Sequence, residues 1–335
     1  MSRNDAAERM IDVVLLVQPR TLLLDLAGPA EAFRLANQAL QRRGRAPAFR
    51  LRFVAATPSV ETSVGLSVAG LEPLPAALAP DSWLVLLGCR HARPGERPST
   101  AELADGLRAQ RWLAREGRVL LDGEQGRLLT ICSGALQAAD AGLLDGRRCT
   151  THHETLPELR RVAPRAQIVD NRVFVLDGPR GELASSAGIT AGIDLALHLI
   201  GEHCGHALAA TIAQTMVVYL RRGANDPELS PLLAHRHHLH AALHKVQDAI
   251  CAAPTEAWTV QTMAEQAHVT PRHLSRLFAL HAGTTPLHYL QAIRLERARQ
   301  AQARGASAGQ AAELAGFSSD QQLRRARRAV ATAAR

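Results

Sequence analysis

The 335-residue chain is poor in aromatic side chains: Phe, Trp and Tyr together make up 3% of it. Its cores must therefore be built from Leu, Val and Ala. It has one lysine, Lys245, so its positive charge is carried almost wholly by arginine. Its five cysteines (Cys89, Cys132, Cys149, Cys204 and Cys251) are odd in number and show no C-x-x-C spacing. That argues against a disulfide framework and a zinc finger, and it fits a reducing compartment. No apolar run reaches the ~18 residues of a membrane span. The best candidate, Leu183 to Ile200, is interrupted by Asp194 and His198. The first ten residues hold acids and no apolar stretch, so no secretory signal is expected. A cytoplasmic protein without membrane contact is the expectation. Disorder is excluded as well, because 47% of the residues are hydrophobic and only 21% charged.

What is present is unevenly spread. From Arg236 onward, Lys245 and twelve arginines face six acids, a surplus of seven positive charges out of the chain's total of eight. The first 235 residues are close to neutral. A basic end on a neutral body is the electrostatic footprint of a nucleic-acid binder. A general preference for Arg over Lys explains the residue type but not the clustering.

The neutral part alternates short apolar runs with helical stretches. Strands are expected at Ile11–Val17, Leu51–Ala56, Trp83–Leu87, Leu128–Ile131 and Val173–Leu176, with a further short one at Arg118–Leu121. Helices are expected at Leu22–Asn37, after Cys132-Ser133-Gly134, and from Ile189 to Ile200. That alternation predicts a mostly parallel sheet with helices on both faces. After Gly201 the strand signals stop. Ala207–Leu220 reads as a helix, and Arg221–Pro231 as a linker, with Gly, Asn, Asp and two prolines in eleven residues. The domains are expected at 10–205, at 206–235 for the helix and linker, and at 236–330.

The basic end reads as all helical and holds two tandem helix-turn-helix units. In the first, Val260–Ala267 is a helix, His268-Val269 the turn, and Thr270 caps a helix that begins with Pro271. In Arg272–Leu280, residues Leu274, Leu277 and Phe278 form one apolar stripe. Arg272, His273, Ser275 and Arg276 face the other way and are the candidate DNA contacts, since Arg supplies the bidentate fork for guanine. A second copy lies 48 residues on: Ala264 matches Ala312, Ala267 matches Ala315, and Val269 matches Phe317. There Ser318-Ser319 is the cap, and Ser319, Gln321, Gln322, Arg324 and Arg325 are the candidate contacts. A long helix, Pro286–Ala303, joins the two copies.

Residues 258–330, with TPRHLSRLF, GTTPLHYL, RLERARQ and AELAGFSSDQQLRRA, resemble the AraC/XylS family of transcription regulators. The resemblance implies two recognition helices entering successive major grooves of double-stranded DNA. The second half departs from the pattern, because Arg327 stands where an aromatic usually follows LRRA. Base reading is therefore expected mainly from the first unit, and phosphate contacts from the second.

In the neutral part, Cys132 follows a strand and precedes a helix. A thiol at that point lies near a helix N-terminus, which favours thiolate, in the manner of a nucleophile elbow. An ordinary buried cysteine is the competing reading. Residues 12–200 resemble the ThiJ/PfpI, class I glutamine amidotransferase-like superfamily through LDLAGPAEAF (24–33), LTICSGALQAADAGLLDGRRCTTHHE (129–154) and SSAGITAGIDLALHLI (185–200). That resemblance implies a flavodoxin-like fold and a carboxylate facing the cysteine, at Asp25 rather than Glu31. Ser133 stands where catalytic members carry a histidine, and Gly88-Cys89 replaces Gly-Gly. No catalytic residue is therefore expected, and Cys132 is a vestigial nucleophile.

The two halves together resemble the GlxA-type regulators. The combination implies a homodimeric activator, with RNA polymerase as a further partner, whose old active-site pocket senses a small nitrogenous metabolite. Asp25, Gly88, Cys132, Ser133, His152 and Ser186 are the candidate ligand contacts. A cysteine-dependent amidase or hydratase, and a redox regulator acting through Cys132, are the alternatives. No cofactor is expected. The histidines at 235, 237, 238, 240 and 244 are read as a solvated face rather than a metal site.

Overall fold

A computed structural model describes residues 10–90, 99–218, 222–224, 235–236, 238, 240–303 and 305–333. The chain divides into two compact units, Met1–Glu228 and Leu229–Arg335. Most of the expected linker, and His237, lie outside the described residues.

The first unit opens with β1 (Ile11–Leu16), α1 (Leu23–Arg42) and β2 (Phe49–Ala55). The short strands β3 (Ser59–Glu61), β4 (Ser67–Ala69) and β5 (Glu72–Pro73) precede β6 (Trp83–Leu86), α2 (Thr100–Asp122), β7 (Arg127–Ile131) and α3 (Gly134–Asp140). Then come β8 (Arg148–Cys149), α4 (Leu156–Val162), β9 (Gln167–Ile168), β10 (Phe174–Asp177), β11 (Leu183–Ser186), α5 (Thr190–Cys204) and α6 (His206–Thr215).

Seven strands form one sheet in the order β10-β11-β7-β6-β1-β2-β5, and only β10 runs antiparallel. All six residues of β1 are buried, as a parallel strand covered on both faces requires. One core, including Val13, Leu15, Phe33, Leu195 and Ile200, lies on the side of α1, α5 and α6. The other, including Val14, Leu16, Leu84, Leu113 and Leu120, lies on the side of α2, α3 and α4. The chain leaves β1 toward β2 but then crosses back to β6. The sheet order therefore reverses between β1 and β6, the usual ligand crevice of an open α/β sheet.

One expected strand is corrected here. The strand expected at Arg118–Leu121 is the last turn of α2. Trp112, Leu113, Glu116, Leu120 and Leu121 are buried at helical spacing, and a Ser99–Glu102 capping box starts the helix. The helix expected from Ile189 to Ile200 is α5, and strand β11 is not among the expected strands. Among the described residues no helix is long and apolar enough to cross a membrane.

Among its described residues the second unit has only helices and turns: α7 (Ala241–Ala252), α8 (Val260–Gln266), α9 (Pro271–Leu277), α10 (Pro286–Ala303), α11 (Ala308–Leu314) and α12 (Asp320–Ala333). A wider π-type turn, Phe278–Ala282, continues α9. Leu243, Met263, Leu274, Phe278 and Tyr289 form one small core, and Ala298, Ala312, Phe317, Leu323 and Ala326 form another. Helix α10 contributes to both. The described histidines do not form a solvated face. His238 is buried with its ring 4.3 Å from that of His244, and His235 Nδ1 lies 2.8 Å from the Ala282 carbonyl oxygen.

Candidate functional site

The elbow forms where β7 turns into α3. Cys132 has φ 56°, a left-handed conformation that costs a non-glycine residue roughly 1–3 kcal/mol. Two hydrogen bonds hold it there. Its N–H donates to the Ser186 carbonyl at 3.1 Å, and the Thr151 hydroxyl donates to its carbonyl at 2.8 Å. Glycines make the room. A Cβ on Gly188 (φ +110°) would lie 2.5 Å from the Cys132 Cβ, and one on Gly88 would lie 2.5 Å from Asp25 Oδ2.

Asp25, on the first turns of α1, is fully buried beside the thiol. Its Oδ1 accepts from the Ile189 N–H at 3.0 Å and its Oδ2 from the Gly88 N–H at 3.2 Å. Burial pushes its carboxyl up from 3.8 to about 6, against the lowering pull of those two N–H groups and the Cys132 thiol. Ile189 itself has φ 46°, a genuine outlier for a β-branched residue. Strain at Cys132 and at Ile189 thus meets on one carboxylate.

The expected contact residues divide. Asp25, Gly88, Cys132 and Ser186 come together at this elbow. Ser186 is fully buried, and its hydroxyl has no hydrogen-bond partner in the structure. Ser133 is turned to structural use. Its Oγ accepts from the Cys89 N–H at 2.9 Å and donates to the Cys89 carbonyl at 3.1 Å. His152 stacks on His153 with ring centres 4.2 Å apart, and its Nδ1 lies 3.8 Å from Glu154. The bond to the elbow carbonyl comes from its neighbour Thr151.

Sequence reasoning missed Ile189, Thr151 and Gln137. Gln137 Nε2 donates to the Leu87 carbonyl at 2.6 Å, and Gln18 Nε2 donates to Gln137 Oε1 at 2.7 Å. These tie the ends of β1 and β6 to α3 across the crevice. No periodic pattern signals such roles. Burial drives the thiols of Cys89 and Cys149 up to about 11, which makes both poor nucleophiles.

In the second unit both turns have the expected caps. The Thr270 hydroxyl accepts from the His273 N–H at 3.2 Å, and Ser319 accepts from the Gln322 N–H at 3.2 Å. His268 (φ 54°) and Gly316 (φ 80°) make the turns. Leu274 and Leu277 are buried, while Arg272, Ser275 and Arg276 are exposed and His273 is half-buried. The cap Ser319 and, on α12, Gln321, Gln322, Arg324 and Arg325 are all exposed. Gln322 Oε1 accepts from the Ser318 N–H at 2.7 Å, and Arg324 pairs with Asp320 at 2.7 Å. Three of these five are therefore engaged within the helix start. Arg327 reaches across to Gln302 on α10, so a polar tie stands where the AraC/XylS pattern has an aromatic.

Comparison with known proteins agrees with both halves. Residues 263–333 match the Helix-turn-helix domain family, and residues 121–202 match the DJ-1/PfpI family. The HTH-type transcriptional regulator GbdR of Pseudomonas aeruginosa is 32% identical over 285 residues, covering 83% of this chain and 70% of that protein. The chain belongs to the HTH-type transcriptional regulators. Within that family it is also similar to the regulator GlxA of Rhizobium meliloti, 34% identical over 177 residues and 52% of each chain. A ThiJ/PfpI family protein from Pseudomonas syringae shares the fold, with a TM-score of 0.50 at 21% identity, covering 79% of this chain and 92% of that one. The GlxA-type resemblance and the two-part fold class are thus borne out.

Proposed function

We propose that this regulator is gated by a small metabolite bound at the Asp25–Cys132 elbow of residues 10–205, and that residues 236–330 read DNA. Family membership makes it a regulator; the gating is carried by one structural observation. The first turns of α5 hold both the site and the exit of the first unit. Asp25 fixes the Ile189 N–H at the start of α5. Five residues on, Asp194 accepts from the Arg222 N–H at 3.0 Å and from its Nε at 2.9 Å, and the adjacent Thr190 accepts from Arg222 Nη2 at 2.9 Å. Arg222 lies near the end of the described part of the first unit, where Ala224 also packs against the core. A ligand that moves Asp25 therefore moves the α5 start, and with it Arg222. Differential affinity for the two arrangements sets the population that binds DNA.

The buried Ser186 hydroxyl is left for a ligand polar group or an ordered water. Ser133 supports the Cys89 loop, and His152 is half-buried against His153. The relatives are named regulators, so we read Cys132 as a sensing position and not as a nucleophile. We further propose a cytoplasmic homodimeric activator acting with RNA polymerase.

The test uses the full chain and a panel of amino acids and quaternary amines. DNA affinity is measured for wild type and Arg222→Ala. One panel member should shift wild-type affinity, and Arg222→Ala should keep DNA selectivity while losing most of that shift. An unreduced shift in Arg222→Ala would overturn the route through α5.

A further inference from the structure

We propose that His273 positions Arg276 for base reading, so that the pair sets selectivity at one base pair. The inference rests on Arg276 being the base contact of the first helix-turn-helix. The two residues lie one turn apart on α9, and Arg276 Nη2 is 3.0 Å from His273 Nδ1.

A guanidinium has only donors. Nδ1 must therefore present its lone pair, and the neutral ring carries its proton on Nε2. One contact thus fixes the tautomer of the histidine and the direction of the arginine. The platform beneath them is rigid. The Thr270 cap holds the His273 N–H, Pro271 fixes the first helical residue, and Leu274 and Leu277 are buried in the core. The π-type turn after Leu277 keeps the helix packed through Phe278 and Ala282.

The neighbours are placed differently. Ser275 donates its hydroxyl proton to the Pro271 carbonyl at 2.9 Å, so it offers a groove only its lone pairs. Arg272 is exposed on the first turn of α9, one turn before Arg276. On α12, by contrast, Arg324 is held by a carboxylate, Asp320, which neutralises it. Arg276 is held by a neutral ring. It keeps its full charge and a free edge of its fork for the O6 and N7 acceptors of a guanine.

An exposed arginine loses rotamer freedom when it docks. One already held loses less, a difference that corresponds to roughly two- to tenfold in affinity at the base it reads. The effect belongs to that base pair alone. A contact to phosphate would act on all sequences alike.

The experiment uses the full chain and the fragment it selects most strongly from genomic DNA. Affinities for that fragment and for every single-base-pair change in it are compared for wild type, Arg276→Ala, His273→Ala, His273→Asn and the double alanine variant. His273→Ala is expected to lose between about two- and tenfold of discrimination at the same base pair where Arg276→Ala loses it, and nowhere else. His273→Asn, whose side-chain oxygen replaces the Nδ1 acceptor, is expected to restore most of it. The double variant should discriminate no worse than Arg276→Ala. Three results would overturn the proposal: a His273→Ala loss uniform over all sequences, a loss at a different base pair, or losses that add in full. If Arg276→Ala weakens every sequence alike, Arg276 is a phosphate contact and the proposal fails with it. Selective binding by wild type would then still stand for the reader as a whole.

Discussion

Asp25 gives a titration with a sign and a size. Its carboxyl is fully buried, and burial lifts it from 3.8 to about 6 in the folded chain. In the unfolded chain it returns to the ordinary carboxylate range. Between those values the folded state binds the proton more tightly, so the proton stabilises the fold. That contribution is complete below the unfolded pKa and is lost as pH rises through the folded one. A shift of about two units at 1.36 kcal/mol each amounts to about 3 kcal/mol in full. Between pH 4.5 and 7.5 about 2 kcal/mol of it should disappear. The raw pH dependence contains every other group, so the assay is a difference. Urea unfolding of wild type and Asp25→Asn is followed across that range. The asparagine carries its own constant cost, because its amide nitrogen must face one of the two N–H donors. Only the pH-dependent part of the difference is diagnostic. Wild type should lose about 2 kcal/mol relative to the variant, mostly below pH 6. A flat difference would refute the raised carboxyl, and would mean that the two N–H donors offset the burial in full.

The remaining predictions concern other parts of the molecule. Gly188→Ala must accept both a φ of +110° and a Cβ 2.5 Å from that of Cys132. It should destabilise the first unit by roughly 2–5 kcal/mol in urea, and a change under about 1 kcal/mol would mean the elbow has slack. Arg325, exposed on α12, should act as a phosphate contact. Its replacement by Ala should weaken binding on all sequences and lower the salt slope by about one, and a base-selective loss would reassign it.

Much of this was legible before any coordinates. The strands β1, β6 and β7 are mostly apolar because both faces of the sheet are covered, and such runs need no partner to be seen. The Thr270-Pro271 start and the 48-residue repeat are local chemistry. The elbow was found because a strand, a cysteine and a helix follow one another directly. What escaped depends on tertiary contact. β3, β5, β8 and β9 are two or three residues long, too short to show a period. The end of α2 carries a β-branched, leucine-rich run that reads as strand until its helical burial is seen. The roles of Ile189 and Gln137 follow from partners distant in sequence, Asp25 in one case and Gln18 in the other. The Ser133 hydroxyl also holds a loop 44 residues away, a contact that no local pattern signals.

The central claim is that the basic helical unit reads sequence in DNA. Its most direct measurement is a titration of the full chain on genomic fragments, including the region upstream of its own coding sequence, across a salt series. The account predicts a small set of strongly preferred fragments and a steep fall of affinity with salt. Weak binding that does not distinguish one fragment from another would contradict it.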